Sequence, residues 1–478
     1  MSAILAKPVG QCPAKACPKT EGEPSAGVYG FLALLVSCAA VGRFAAGKLK
    51  QAPVLGELAA GILVGALLYQ LGSPTVIIIR HSALVEQAGK SSLTQGLNWP
   101  TTVRSTLRGA ELPEATARKV TRVLLSRDFL SYISLARSVQ LFAGFGVVML
   151  LFMVGLEVSL KELRAIGRSA AMVAASGVVG TFVLSFFTIF FLLPPSAGLM
   201  PPLFVGAALC ASSIGITARI FKDLQRVGTK EAHIVLGAAV LDDILGLLAL
   251  SVASGVAVYG GLRPGDISLI LLKTALFLGA VVVFGSRFVD MAVRFLAKIG
   301  PGNIKLLFPF VLLMLLSWLA SRIGLAAIIG AFTAGVLIKE ESFAGIGAGL
   351  DPEQSVVSIL ASIEGILAPI FFVLIGLQVD LVTFLNIKVV FIGLLLTGAA
   401  SAGKLASSLG APRDSDRLTV GIGMLPRVEV PLIVASMGKA LGVLNDDLYS
   451  VIVMVVVLTV VLTPPLLKWS LERKVEIG

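Results

Sequence analysis

The sequence predicts an all-α polytopic membrane protein of about 13 transmembrane helices, in two inverted six-helix repeats joined by a linking helix, with interrupted helices inside the bundle. Three observations predict it. The chain has 478 residues, of which 56% are apolar and only 14% charged, with a mean hydropathy of +0.95. The apolar residues gather into runs near the roughly 20 residues that cross a bilayer as a helix. Two short motifs recur at matching places in the two halves.

One soluble core cannot hide that much apolar surface, which excludes a soluble enzyme, a disordered chain and a nucleic-acid module. Lys and Arg number 39 against 28 Asp and Glu, a net charge of +11. In a membrane protein that excess belongs to cytoplasmic loops, so no nucleic-acid partner is expected. Two histidines, His81 and His233, and no HExxH pattern remove a metalloprotease reading. Cys38 and Cys210 lie in apolar runs. Cys12 and Cys17, in a Pro- and Lys-containing tail, could pair only in an oxidising compartment. Residues 1–27 lack the apolar core of a signal peptide, so the first apolar run is expected to be a retained span.

The first half holds six expected spans, at 28–48, 53–71, 139–158, 170–193, 203–221 and 231–259. A linking helix follows at 267–291. The second half supplies 304–320, 325–338, 356–378, 389–408, 418–440 and 448–468, the ninth span being short enough that its start is expected nearer Ser321. Transporter residues thus run from 28 to 468, with a first repeat at 28–259, a second at 304–468 and tails at 1–27 and 469–478. Basic residues flank alternate turns: Lys48 and Lys50, Lys161 and Arg164, Arg226 and Lys230, Arg294 and Lys298, Arg413 and Arg417, Arg473 and Lys474. That side is expected to be cytoplasmic, which puts the N-terminus outside and the C-terminus inside, in a plasma (inner) membrane.

Residues 73–138 fall on the outer side, yet carry nine Lys or Arg against four acidic residues. The positive-inside rule weakens for loops beyond about 60 residues. Within this insertion, 114–135 reads as an amphipathic helix that lies on the membrane surface or caps the protein, or alternatively as an ordinary packed extracellular helix pair.

The repeat rests on two matches. Gly56-Glu-Leu-Ala-Ala-Gly61-Ile-Leu of the second span resembles Gly330-Ala-Phe-Thr-Ala-Gly335-Val-Leu of the ninth, and Val154-Gly-Leu-Glu-Val-Ser-Leu160 of the third resembles Ile375-Gly-Leu-Gln-Val-Asp-Leu381 of the tenth. Six helices plus one linking helix insert the second half upside down, the plan of many secondary transporters, whose sites lie where broken helices meet at the midplane. The fifth helix of each half carries an interruption. The first is Ala211-Ser-Ser-Ile-Gly-Ile-Thr217, in which Ser212, Ser213 and Thr217 can satisfy freed backbone groups. The second runs from Gly421 through Pro426 to Pro431, where each proline removes a donor.

Asp242 and Asp243 stand in the sixth span, Asp243 nine residues from Ile234, or about 14 Å along the helix and near the bilayer centre. An ionised side chain there costs at least ~2.5 kcal/mol, which points to function. Neighbours on a helix diverge by about 100°, so one carboxylate is expected to face an ion path and the other a protein partner. Lys404, among small residues of the eleventh span, is that partner, unless it snorkels to the cytoplasmic end. Arg427 and Glu429, just after Pro426, are expected to neutralise the exposed ends of the broken helix. Glu57, Glu157 and Glu364 lie nearer helix ends, where solvated or loop-packing roles are the default.

These motifs together resemble the monovalent cation/proton antiporter family, in its second branch, the NapA-type sodium/proton antiporters. The resemblance runs from about Ala52 to Leu467, apart from most of 73–138. It is carried by Gly56-Glu57, Leu151-Phe-Met-Val-Gly-Leu-Glu157, Ser213-Ile-Gly-Ile-Thr-Ala-Arg219, Gly237-Ala-Ala-Val-Leu-Asp242-Asp243, Ala368-Pro-Ile-Phe-Phe372, Gly403-Lys404 and Gly423-Met-Leu-Pro-Arg427. It implies a homodimer with a scaffold domain and a mobile core domain of crossed broken helices, working by an elevator mechanism. It also implies Asp243 as the essential ion-binding carboxylate that takes Na+, and Asp242 with Lys404 as the salt bridge of electrogenic members. Arg427 and Glu429 match the charged pair after the break. Val428 departs from the pattern, standing where relatives typically have glycine.

The expected activity is exchange of Na+ or Li+ for H+ by alternating access, serving pH homeostasis, with protons and cation competing for the same carboxylates. A potassium/proton antiporter on the same scaffold and a gated cation channel are the alternatives. An intramembrane aspartyl protease needs carboxylates converging from different helices, which two neighbours on one helix do not give. No GxxxxGK[ST] loop is present, so no ATP, and no cofactor beyond the transported ions, is expected.

Overall fold

A computed structural model of the chain describes residues 24–477 except 50, 96–97, 110–113, 158–166, 214–215, 218–219, 222–225, 227–228, 260–263, 300–303 and 344–354. The described residues are helical, without a strand. In chain order the helices are α1 (Pro24–Lys48), α2 (Pro53–Gln70), α3 (Pro74–Arg80), α4 (Ser82–Gln95), α5 (Trp99–Gly109), α6 (Glu114–Leu124), α7 (Phe129–Glu157), α8 (Arg168–Leu192), α9 (Met200–Cys210) and α10 (Lys230–Tyr259). They continue with α11 (Pro264–Ala280), α12 (Ser286–Ile299), α13 (Ile304–Arg322), α14 (Ala327–Leu337), α15 (Val356–Gln378), α16 (Ile387–Leu405), α17 (Arg417–Gly423), α18 (Glu429–Ala440) and α19 (Asp446–Ile477).

Nine of these are long and apolar enough to cross a membrane among the described residues. The other expected spans are interrupted or short, each for a physical reason. Those of α9 and of α17 with α18 are broken. The linking segment is helical without a break from 264 to 299, longer than the expected 267–291, and a π-helical turn at Val281–Gly285 divides it into α11 and α12. α14 begins at Ala327, not nearer Ser321, because the chain turns at Gly324, whose φ of 87° suits glycine. Every residue from Ile328 to Leu337 is buried, so this short helix crosses inside protein rather than through lipid.

The helices pack as two bundles. α1, α2, α7, α13, α14 and α15 form the first, and α8, α9, α10, α16, α17, α18 and α19 the second. Backbones of the first touch at glycines of the repeated motifs. A Cβ on Gly61 of α2 would lie 2.3 Å from Val373 O of α15, and one on Gly335 of α14 would lie 2.2 Å from Phe152 O of α7. Such a Cβ fits at neither crossing. Two hydrophobic cores result. One joins the first bundle to the half of the second bundle that carries Phe204, Leu250, Leu432 and Ile452. The other, around Val173, Phe221, Val235, Val420 and Leu467, belongs to the second bundle alone. The bundles therefore share packing at one end, whereas at the end near Lys230 and Arg417 the second bundle has a core of its own among the described residues.

The insertion folds onto the first bundle. All of Thr75–Arg80 is buried, and the Trp99 indole donates to Leu124 O at 2.8 Å while stacking on Phe129. Over 114–135 there are two helices, as in the helix-pair reading, rather than one amphipathic helix. α6 stops at Leu124, the Ser126 hydroxyl donates back to Val123 O at 2.7 Å, and α7 starts ten residues before the expected 139. A serine bonding the preceding turn and an aspartate, Asp128, just before the new helix are ordinary stop and start signals.

Candidate functional site

The site is built where two interruptions cross. α9 ends at Cys210, and Ala211, Ser212 and Ser213 leave helical geometry before Ile216 and Thr217 resume it. Opposite, α17 ends at Gly423, and Met424 to Val428 separate it from α18. The breaks hold one another. Ser212 Oγ donates to Met424 O at 2.7 Å, Thr217 Oγ1 to Gly423 O at 2.9 Å, and the Ser213 amide to Pro426 O at 2.7 Å. Backbone groups freed by the breaks thus find partners across the crossing, as a water-poor interior requires. Ser213 Oγ is itself buried without a hydrogen-bond partner among the described residues.

α10 carries the carboxylates past this crossing. Asp242 is fully buried and Asp243 is 4% exposed. Asp242 Oδ2 accepts the Ser212 amide at 2.7 Å, tying the helix to the first break. Lys404 of α16 donates to Asp242 Oδ1 at 2.5 Å and Oδ2 at 2.7 Å. The expected pairing is therefore made, and a snorkelling Lys404 is excluded by its complete burial. Glycine permits the approach: a Cβ on Gly403 would sit 2.5 Å from Thr181 Cα of α8, and one on Gly177 would sit 3.8 Å from Lys404 Nζ.

Arg427 is also fully buried, and carbonyls, not a carboxylate, receive its guanidinium. Nε donates to Leu209 O at 2.9 Å, Nη1 to Leu425 O at 2.9 Å and Nη2 to Ala400 O at 2.7 Å. It caps the C-terminal end of α9, where carbonyls lack partners and the helix dipole is negative. It also ties that end to the second break and to α16, the helix of Lys404. The backbone of Glu429 opens α18, and its side chain lies outside the described residues. Val428, at the departure from the resembled pattern, has φ −141° and ψ −76° and is buried.

Sequence reasoning missed other ionic contacts. Glu57, expected in a solvated or loop-packing role, is buried, and Arg43 Nε donates to it at 2.8 Å. Consecutive spans, the first with Arg43 inside it and the second with Glu57 as its one charge, were the available signal. Lys439, Arg80 and Tyr449 gather around the end of α15, where only the buried lysine inside the span 418–440 gave a hint.

Comparison with known proteins places this geometry. The Na+/H+ antiporter NhaS3 of Synechocystis is 29% identical over 455 residues, covering 94% of this chain and 90% of that protein. GerN of Bacillus cereus, named a Na+/H+-K+ antiporter, is 28% identical over 366 residues, covering 76% and 91%. The solved structure of the sodium proton antiporter MjNhaP1 from Methanocaldococcus jannaschii at pH 8 shares the fold, with a TM-score of 0.57 over 92% of this chain and 97% of that one at 15% identity. The description "Sodium/hydrogen exchanger, transmembrane" matches residues 32–473, both bundles and the crossing included, and the chain belongs to that family of integral membrane transporters.

Proposed function

We propose that this protein is a secondary active sodium/proton antiporter that exchanges Na+ or Li+ for H+ across a plasma membrane. The observation that carries the reading is the fully buried Asp242–Lys404 pair at the crossing of two broken helices, one residue from the buried Asp243. Two carboxylates and a lysine inside an apolar bundle are costly unless used. Asp243 is the residue we assign to bind Na+ when ionised and to carry a proton when not. Ser213, whose hydroxyl has no partner among the described residues, adds a polar oxygen in the same break.

Where Lys404 also takes up and releases a proton, two protons exchange for one cation, and each net charge moved is worth ~2.3 kcal/mol per 100 mV. The packing supports alternating access. The second bundle carries the site and has its own core at one end, so it can slide as a body against the first, which serves as scaffold of a homodimer. The glycine contacts support inverted repeats at 28–259 and 304–468 joined by 267–291: span two meets span ten as span nine meets span three, the pairing that an exchange of halves demands. On this reading the N-terminus lies outside, and the end near Lys230 and Arg417 faces the cytoplasm.

A potassium/proton antiporter is the second reading, favoured by the relative GerN, whose name includes K+ beside Na+ and H+. Purified protein in proteoliposomes with an internal pH dye separates them. Dissipation of an imposed proton gradient by Na+ or Li+, absent in Asp243→Asn, is expected. A response to K+ alone moves the protein to the second reading, and an Asp243→Asn variant that exchanges like the parent removes the site.

A further inference from the structure

The four last carbonyls of α15 are all partnered, and three of the partners reach in from different parts of the molecule. Gly376 O accepts the Val379 amide at 3.0 Å within the turn. Ile375 O accepts the Tyr449 hydroxyl of α19 at 3.1 Å, Leu377 O accepts Arg80 Nε at the end of α3 at 3.0 Å, and Gln378 O accepts Lys439 Nζ of α18 at 3.0 Å. A helix C-terminus attracts cations through its orphan carbonyls and dipole. Here the cations belong to separate bodies. α15 and α3 stand with the first bundle, and α18 and α19 with the second.

Each arm is held from behind. Asp446 of α19 lies 2.8 Å from Lys439 Nζ, whose ammonium also sits 4.6 Å over the Tyr449 ring. Asp380, just past α15, lies 3.7 Å from Arg80, whose guanidinium stacks 4.4 Å from the Tyr69 ring. Arg80 and Lys439 are each 4% exposed. Beside this collar a cavity of about 450 Å³ opens between the bundles, bounded by Glu86, Gln140, Phe371, Gln378 and Ser436. The collar stands at the end where the bundles share a core, opposite the end where the second bundle has a core of its own among the described residues.

We infer that this collar is a latch between the two bundles: Lys439, seated on Gln378 O and anchored by Asp446, is a positioning residue that holds the outer side closed and must leave the end of α15 before the ion site can face outward. Arg80 extends the latch into the 73–138 insertion, giving that segment a part in gating. The inference rests on the alternating-access reading above. Motion of the second bundle against α15 breaks Lys439–Gln378 and leaves Lys439–Asp446 intact, since Lys439 and Asp446 travel together.

The test places a cysteine at Ser436, with the four native cysteines changed to alanine. The rate of modification by a membrane-impermeant thiol reagent applied to the outer face is then measured in proteoliposomes. Slow modification is expected of the parent. Loss of a charge-assisted hydrogen bond in Lys439→Met should raise the rate about tenfold, with the KM for cation changing on one face only, and Lys439→Arg should restore both. Where Lys439→Met does not fold, Asp446→Asn, at a part-exposed position, is expected to raise the rate in the same direction. A folded Lys439→Met or Asp446→Asn with the parental rate overturns the latch. Failure of the transport reading shows elsewhere, as exchange that survives Asp243→Asn.

Discussion

Lys404 Nζ lies 2.5 and 2.7 Å from the two carboxylate oxygens of Asp242, with both side chains fully buried. A pair so placed is costly to break from one side, because the survivor is left charged without a partner. Lys404→Gln keeps a hydrogen-bond donor for Asp242 and removes the charge. We expect it to be destabilised by roughly 3 kcal/mol and to exchange one proton per cation. Its rate in proteoliposomes clamped by K+ and valinomycin should then be independent of membrane potential. A variant that still moves net charge at the parental stoichiometry assigns the second proton elsewhere.

Arg427 presents three donors to three carbonyls on three elements, a task that its planar fork suits and a point-like ammonium does not. Arg427→Lys leaves at least one of Leu209, Leu425 and Ala400 without a donor in a buried place. Each orphaned carbonyl costs about 1–3 kcal/mol. The melting temperature in detergent should fall by several degrees, with a larger fall for Arg427→Met. An unchanged melting temperature in Arg427→Met shows that the crossing holds without this staple.

Much of the fold was legible because membrane helices announce themselves by length and apolarity: the tenth span, 356–378, coincides with α15. The Asp242–Lys404 pair was legible for a related reason, since few charges stand mid-span and those few must meet. The end of α6 at Leu124 was not legible, because Val123, Leu124 and Leu125 continue the apolar pattern and only the serine turn stops it. The sequence reads Arg427 as neutralising the exposed ends of its own broken helix; that its Nε reaches Leu209 O of the other one was not legible, because orphan carbonyls exist only once the breaks are formed. The collar at α15 escaped notice because Arg80, Lys439 and Tyr449 are joined by no local pattern, only by the tertiary fold.

Close backbone crossings at glycine give a prediction with an internal contrast. A methyl at Gly335 would stand 2.2 Å from Phe152 O and 2.8 Å from Gly155 Cα, so Gly335→Ala must push α14 from α7. Overpacking of this kind costs typically 1–3 kcal/mol. Gly89, in α4, has open space around the same methyl, and Gly89→Ala should be neutral or stabilising by up to about 1 kcal/mol through helix propensity. Thermal melting of the two variants side by side checks this. Equal behaviour would mean that α14 and α7 are not in contact at this crossing.

The insertion supplies a pH-dependent contribution to stability whose sign can be worked out. His81, between α3 and α4, is 7% exposed, its Nε2 is 3.3 Å from the Tyr69 hydroxyl, and burial lowers its pKa from 6.5 to about 4, with Lys439 and Arg80 lowering it further against Asp446 and Asp380. The folded protein therefore keeps the ring neutral where an unfolded chain would protonate it. Below pH 6.5 the unfolded state binds the extra proton, so the stabilising contribution is whole above that pH and is lost as pH falls toward about 4. At 1.36 kcal/mol per pH unit the full loss is on the order of 3 kcal/mol. Melting curves of the parent and of His81→Gln between pH 7.5 and pH 4.5 should diverge on the acid side, the parent losing more. Parallel curves would place His81 in water, protonating as freely in the folded protein as out of it.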